Sequence, residues 1–336
     1  MRVQKPDGSF HYYYDPAQDH FEARRYNIVR HAGAILSLFD LYAATGDRRY
    51  LKSSREAIRF LKTRFRAARS GRADYVLDFD GKAKLGANGL ALAALASQIR
   101  LDPGSGDRKS AMRLANMILD MQRNDGSFEM RYRPQSADDF GIESLYYPGE
   151  ALLGLIRLFK LSGDQKLLTG ANRGVAFLME SQRQMDALPP DAWLMQALSD
   201  LYIVSPQKEY AFHALALAEA MIAEQYDDSA RADYTGGYGP GPPRATPAAS
   251  RAEGLVSAYR LARSIGDPRA SKIANALKAS ARFQLSQQFT SDNSSSLPNP
   301  ARARGGFRES MTSPRIRIDF VQHNIASLLG IAEALR

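Results

Sequence analysis

The 336-residue sequence contains no cysteine. That absence removes disulfides, thiolate metal sites and cysteine nucleophiles together, and leaves the redox compartment open. Tryptophan is nearly absent, with one copy at Trp193. No run reaches the ~18–20 apolar residues a membrane-spanning helix needs, and no signal peptide leads the chain. There is no His-x-x-x-His pair, no Walker loop and no Gly-x-Gly-x-x-Gly opening a helix after a strand. Gly236-Gly-Tyr-Gly-Pro-Gly-Pro-Pro243 is glycine-rich but broken by proline, so it reads as an irregular loop. Asp138-Asp139 and Asp227-Asp228 lack the further aspartate a diphosphate–magnesium site wants. The site is therefore expected to work without metal or cofactor.

What is present is an ordinary globular composition, 44% hydrophobic and 24% charged. The formal charge of +9 and pI near 9.6 favour an acidic partner: a polyanionic sugar, nucleic acid or a membrane surface. The basic residues are dispersed and form no stripe, which argues against nucleic acid. The chain opens abruptly on Lys5-Pro6-Asp7-Gly8-Ser9-Phe10. A longer natural protein, truncated at its N-terminus and exported to the periplasm or beyond, is one expectation; without a preceding segment the expected location is cytoplasmic.

Internal repetition is the strongest pattern. An apolar helix, a tight turn and a more amphipathic helix recur at 34–44 and 50–65, at 151–161 and 167–182, and at 254–265 and 269–288. Between them lie 89–100 with 110–122, and 192–204 with 210–226. The Gly-Asp turns have a mechanism: Gly takes the left-handed position that ends one helix, and Asp caps the next. Turns at 46, 106, 163, 206 and 266 are spaced by 60, 57, 43 and 60 residues, the length of a helical hairpin with its connecting loop. A further helix at 323–335 matches the first member of a pair. This pattern predicts an all-α fold of six inner and five outer helices in one domain. The inner helices are apolar on most of their circumference, which suits a closed ring and not an open solenoid with a solvated concave face.

Loops from outer to inner helices are long and rich in Gly, Pro, Tyr and Arg, at 66–88, 124–148, 183–190, 227–250 and 289–320. Short strand pairs are expected within them, at 9–14, 75–79 and 315–320. Long loops gathered on one face of a rigid scaffold are where function resides. If the inner helices run the same way, their polar first turns gather there as one funnel. It would hold Asn27, Arg30 and His31, then Lys84 and Asn88, then Tyr146, Tyr147 and Glu150. Asp191 and Trp193, Arg251 and Glu253, and Asp319 with His323 and Asn324 complete it. Carboxyl pairs, planar hydrogen-bonders and stacking rings are what a sugar-processing site requires.

Most of these residues have two readings. Glu150, after Pro148, either serves the N-terminus of its helix or meets substrate. Asp191 in Pro189-Pro-Asp-Ala-Trp193 obeys every rule of an N-cap and is also a candidate acid or base. Trp193 packs in the core or stacks on sugar. Asp319 and His323 share a helix face four residues apart, as a structural pair or a proton-transferring one. Glu253 bridges to Arg251 or lines its first turn. His31 satisfies a core hydrogen bond or touches substrate. Arg30, Arg244 and Arg251 suit bidentate carboxylate recognition.

Gln4-Lys-Pro-Asp-Gly-Ser-Phe10 and Gln122-Arg-Asn-Asp-Gly-Ser-Phe128 resemble the Gln-x-x-Asp-Gly-Ser-aromatic turn of α/α-toroid proteins such as squalene–hopene cyclases; Gly305-Gly-Phe307 is similar. In that family the turn ties outer helices together, while the cyclase's Asp-rich acid motif has no counterpart here. The hairpins with Thr/Ser-Gly-Asp turns resemble those of (α/α)6 glycoside hydrolases, polysaccharide lyases and uronyl C5-epimerases. The resemblance implies a toroid acting on a charged bacterial polysaccharide or oligosaccharide. Hydrolysis by Glu150 with Asp319 is the first expectation, with Asp191 and Glu253 in reserve. Lyase or epimerase chemistry is the second: Arg30 or Arg251 would neutralise a uronate while His31, His323 or a tyrosine moves its α-proton. A non-catalytic binding or scaffold module of an exopolysaccharide export system in the bacterial envelope is the third.

Overall fold

The computed structural model describes residues 3–23, 26–132, 144–229 and 231–336. Asp138 and Asp139, singled out above, lie outside them. Five helical hairpins follow one another: α1 (Ile28–Thr45) with α2 (Arg48–Lys62), α3 (Leu85–Leu101) with α4 (Arg108–Asp120), α5 (Tyr147–Ser162) with α6 (Gln165–Arg183), α7 (Ala192–Val204) with α8 (Lys208–Ala223), and α9 (Ala245–Ile265) with α10 (Arg269–Ser286). Two single-turn helices, α11 (Ser291–Ser294) and α12 (Pro300–Ala303), lead to the unpaired α13 (Ile318–Ala334). The odd helices to α9 and then α13 each pack on the next, and α13 closes on α1. The even ones from α2 to α10 stand outside.

The two classes of helix follow from their sequences. In α2 the buried residues Leu51, Ser54, Ala57, Ile58 and Leu61 form one stripe, as an outer layer requires. In α3 every residue from Leu85 to Ala96 is buried. Tight turns behave as their chemistry demands: Gly46 ends α1 at φ 69°, and the Asp47 carboxylate accepts from the Arg49 N–H at 2.9 Å. Glycine also sets the ring's close approaches, since a Cβ at Gly89 would overlap the α5 backbone at Glu150–Ala151. At Gly33 the neighbour is a side chain, Gln322, and not the second backbone that the Ala32-Gly33 pair suggests.

Short strands pin the loops. β1 (Tyr13–Asp15) pairs antiparallel with β2 (His20–Phe21) and with β7 (Ile316–Arg317), setting Tyr13 opposite Arg317. β3 (Phe65–Ala67) pairs with β4 (Asp74–Val76), and β5 (Ala83–Lys84) with β6 (Arg131–Tyr132). The expected strand at 315–320 is shorter because the Ile318 N–H makes the last bond, to the Tyr12 carbonyl at 3.2 Å. Asp319 and Phe320 then turn into α13. α9 likewise starts at Ala245, ahead of the expected 254, with Pro247 in its first turn where no helical N–H is missed.

The Gln–Asp-Gly-Ser turns are fasteners. Gln122, after α4, donates from Nε2 to the Gly170 carbonyl of α6 at 2.9 Å, and Gly126 at φ 96° sits against the Arg173 carbonyl. Gln4 does the same to Ser53 of α2 at 2.9 Å, with Gly8 at φ 90° on the Glu56 carbonyl. Gln225, after α8, donates to Ala276 of α10 at 3.1 Å, with Gly236 on the Ala279 carbonyl.

Candidate active site at the inner-helix N-termini

The first turns of the inner helices line a cavity of about 530 Å³. Asn27, Arg30, Tyr146, Tyr147, Glu150, Trp193, Arg244, Arg251, Asp319 and His323 all border it, as sequence reasoning expected. Asp191, Glu253, His31 and Lys84 do not. Asn27 also caps α1, its Oδ1 accepting from the Arg30 N–H at 3.0 Å.

Two carboxyl groups sit buried at neighbouring helix starts. Glu150 in the first turn of α5 is 5% exposed, and its Oε2 has no hydrogen-bond partner among the described residues. Its room comes from Gly86, where a Cβ would overlap that oxygen. Asp191 is fully buried and caps α7, Oδ1 accepting from the Leu194 N–H at 3.0 Å while Oδ2 is unpartnered. Burial pushes the Asp191 carboxyl up to about 7, against the lowering pull of the Leu194 and Trp193 N–H groups. Burial, reinforced by Asp191, holds Glu150 well above its ordinary range. The shift favours the protonated form of Glu150, which faces the cavity.

Across the cavity, the other pair joins an imidazole to a carboxylate. His323 Nδ1 meets Glu253 Oε1 at 2.7 Å, leaving Nε2 without a protein partner among the described residues. Burial alone would depress the imidazole, but the Glu253 carboxylate outweighs it and raises the pKa. The Trp193 ring lies edge-on to His323, with centroids 6.1 Å apart. The expected pairing of His323 with Asp319 is replaced by this one. Asp319 is held elsewhere: Arg30 Nε reaches its Oδ2 at 3.1 Å, and Arg317 grips both oxygens at 2.5 and 2.9 Å. Tyr12 Oη accepts from Arg30 at 2.5 Å.

The remaining candidates are structural or peripheral. His31 is fully buried, with Nδ1 on Tyr26 Oη at 2.8 Å and Nε2 on the Ala57 carbonyl at 2.9 Å. Burial lowers its pKa to about 4, so it is neutral. Lys84 is clamped between Asp78 at 2.6 Å and Asp80 at 2.8 Å, and Asp78 in turn accepts from the Ile28 N–H. Arg251 bonds Glu224 at 2.7 Å rather than Glu253, and Arg244 bonds Glu309 at 2.8 Å. Arg317 was missed by sequence reasoning, although the alternation Arg315-Ile-Arg-Ile-Asp319 places it on the side of Asp319.

A second cavity of about 590 Å³ opens at the opposite end of the ring, lined by Asp40, Arg100, Arg157, Glu253 and Arg260. Trp193 and Gln322 border both cavities and form the partition. Among the described residues no group of three His, Asp or Glu could hold a metal ion. No helix there is long and apolar enough to cross a membrane.

The ring matches solved structures along its whole length. A D-mannose isomerase superposes with TM-score 0.70 at 12% identity, over 98% of this chain and 93% of that one. The fold is the (α/α)6 toroid. A cellobiose 2-epimerase from Bacillus thermoamylovorans gives TM-score 0.72 at 13% identity, over 99% of this chain and 94% of that one. A GH76 α-mannanase from Bacteroides thetaiotaomicron gives 0.70 at 10% identity, over 99% and 91%. Identities this low carry likeness of fold alone. No protein-family model matches the sequence, and no curated protein is significantly similar to it.

Proposed function

We propose that this toroid is a sugar-processing enzyme that moves a proton on an acidic saccharide, as an epimerase or isomerase does. The observation that carries it is a buried Glu150, its pKa raised by burial, set across one cavity from a carboxylate-backed His323. His323 Nε2 would take the proton from the carbon next to a carboxylate or carbonyl, and Glu253 would stabilise the imidazolium formed. Glu150 would return a proton to that carbon from the other side. Arg30, Arg244, Arg251 and Arg317 border the cavity, which suits a substrate bearing carboxylates. The isomerase and epimerase among the similar structures support the same reading.

Hydrolysis is the second reading, favoured by the raised pKa of Glu150, which suits a general acid. Asp319 would be its partner, but both oxygens are already engaged by arginines, which makes it a poor nucleophile. A similar GH76 mannanase was crystallised with α-1,6-mannotriose as a variant inactivated at two neighbouring aspartates. Asp138-Asp139 is one of the two Asp-Asp dipeptides in this sequence and is the one to test here.

The deciding experiment incubates the protein with uronate oligosaccharides and manno-oligosaccharides in D2O. Deuterium incorporation at a ring carbon without new reducing ends is expected, and Glu150→Gln and His323→Asn should each lower it by ~10²–10⁴-fold. New reducing ends abolished by Asp138→Asn with Asp139→Asn, but not by His323→Asn, would replace proton transfer with hydrolysis. Oligosaccharide binding without turnover would leave a binding module.

A further inference from the structure

The fasteners described above come in three complete copies and one incomplete one. Gln288, after α10, bridges to Phe307 as Gln122 bridges to Phe128, and Gly305 holds the positive φ of 86° seen at Gly8, Gly126 and Gly236. At those three glycines a Cβ would strike a carbonyl of the next outer helix; at Gly305 it would meet nothing. The Gln4, Gln122 and Gln225 amides each donate to that helix, whereas the Gln288 side chain faces open space and bonds to nothing among the described residues.

The open space is a groove of about 540 Å³ between α1 and α13. Leu38, Leu41, Val321, Ile325, Leu328 and Leu329 form its floor. Val321, Ile325, Leu328 and Leu329 are only half-buried, while their counterparts on α3 and α5, such as Leu92 and Leu155, are fully covered. The other inner helices are backed by the five outer ones, and among the described residues this face is not.

We infer that the groove is a socket for one amphipathic α-helix from outside these 336 residues, seated as the sixth outer helix of the ring. The repeat defines its chemistry. The three docked helices present carbonyls three residues apart to the Gln and Gly of each fastener: Ser53 and Glu56, Gly170 and Arg173, Ala276 and Ala279. The first of each pair is small, which lets the glutamine reach the backbone. The partner helix therefore carries Gly, Ala or Ser at that position, beside an apolar stripe that meets Ile325 and Leu329.

The probe is a fluorescein-labelled synthetic peptide copying Arg269–Ser286, the outer helix that carries Ala276 and Ala279. Its anisotropy is titrated with the intact protein, and hydrogen exchange across 321–329 is followed in parallel. Saturable binding with slowed exchange there is expected, weakened at least ~tenfold by Ile325→Asp and by replacing Ala276 of the peptide with Phe. Ile203→Asp, on the exposed side of α7, should bind like wild type, and circular dichroism verifies that the Ile325→Asp chain is folded. Absence of binding, or equal binding by Ile325→Asp, overturns the socket. Self-association of the chain that Ile325→Asp abolishes, with no peptide bound, assigns the groove to a second copy instead.

Discussion

At the scale of single residues, the cavity separates groups that titrate from groups that brace. Asp191 has its pKa raised from 3.8 to about 7, so its native state prefers the proton. The stability contributed by that preference is complete below the unfolded pKa and is lost as pH rises to about 7. Asp191→Asn should therefore narrow the decline of unfolding free energy between pH 4 and 7, and denaturant titrations of both proteins measure the difference. His31 has the opposite sign: its pKa is lowered from 6.5 to about 4, so stability is lost as pH falls through that window. His31→Gln is expected to flatten the acid limb and to leave saccharide binding unchanged, because the ring does not reach the cavity. Arg317→Ala should weaken the binding of acidic saccharides and free Asp319, read as a rise in KM larger than the fall in kcat.

At the scale of elements, the fasteners show how one local sequence acquires different energies. Gly126 combines φ 96° with a carbonyl of α6 where a Cβ would stand, so Gly126→Ala meets strain and overlap together. Gly305 has a similar φ of 86° and open space. Gly305→Ala should cost only the backbone term of ~1–2 kcal/mol, and Gly126→Ala clearly more, as thermal unfolding of the two variants would measure. Gln122→Ala should likewise lose ~1 kcal/mol for its bond to α6, whereas Gln288→Ala should be neutral until the α1–α13 groove is filled. These turns were legible in the sequence because their conformation is local. Whether a helix stood waiting to receive each one was not.

At the scale of the whole molecule, the six inner helices close a ring whose two ends differ. The N-terminal end carries a buried acid, an imidazole–carboxylate pair and arginines; the other carries Asp40 among Arg100, Arg157 and Arg260. Asp40 stands exposed to the solvent of that second cavity. With a formal charge of +9, binding of uronate oligosaccharides should weaken as ionic strength rises, and neutral manno-oligosaccharides should show no such slope. Calorimetry at two salt concentrations would separate the two.

The amino-acid pattern alone determined the number, order and class of the inner and outer ring helices, their Gly-Asp turns and the stretches whose side chains meet the cavity. Each of those is set by propensity, capping and a 3.6-residue period, all of which act within a few turns of chain. Closure of the ring decided the rest. A residue in a first turn can point to the axis, to the neighbouring helix or to the loop above, and only packing selects among them. So Asn27 and Glu150 reached the cavity, His31 and Lys84 were sealed off, and His323 found Glu253 instead of Asp319. Protonation followed the same rule, because a carboxyl's preference depends on what distant segments bury around it.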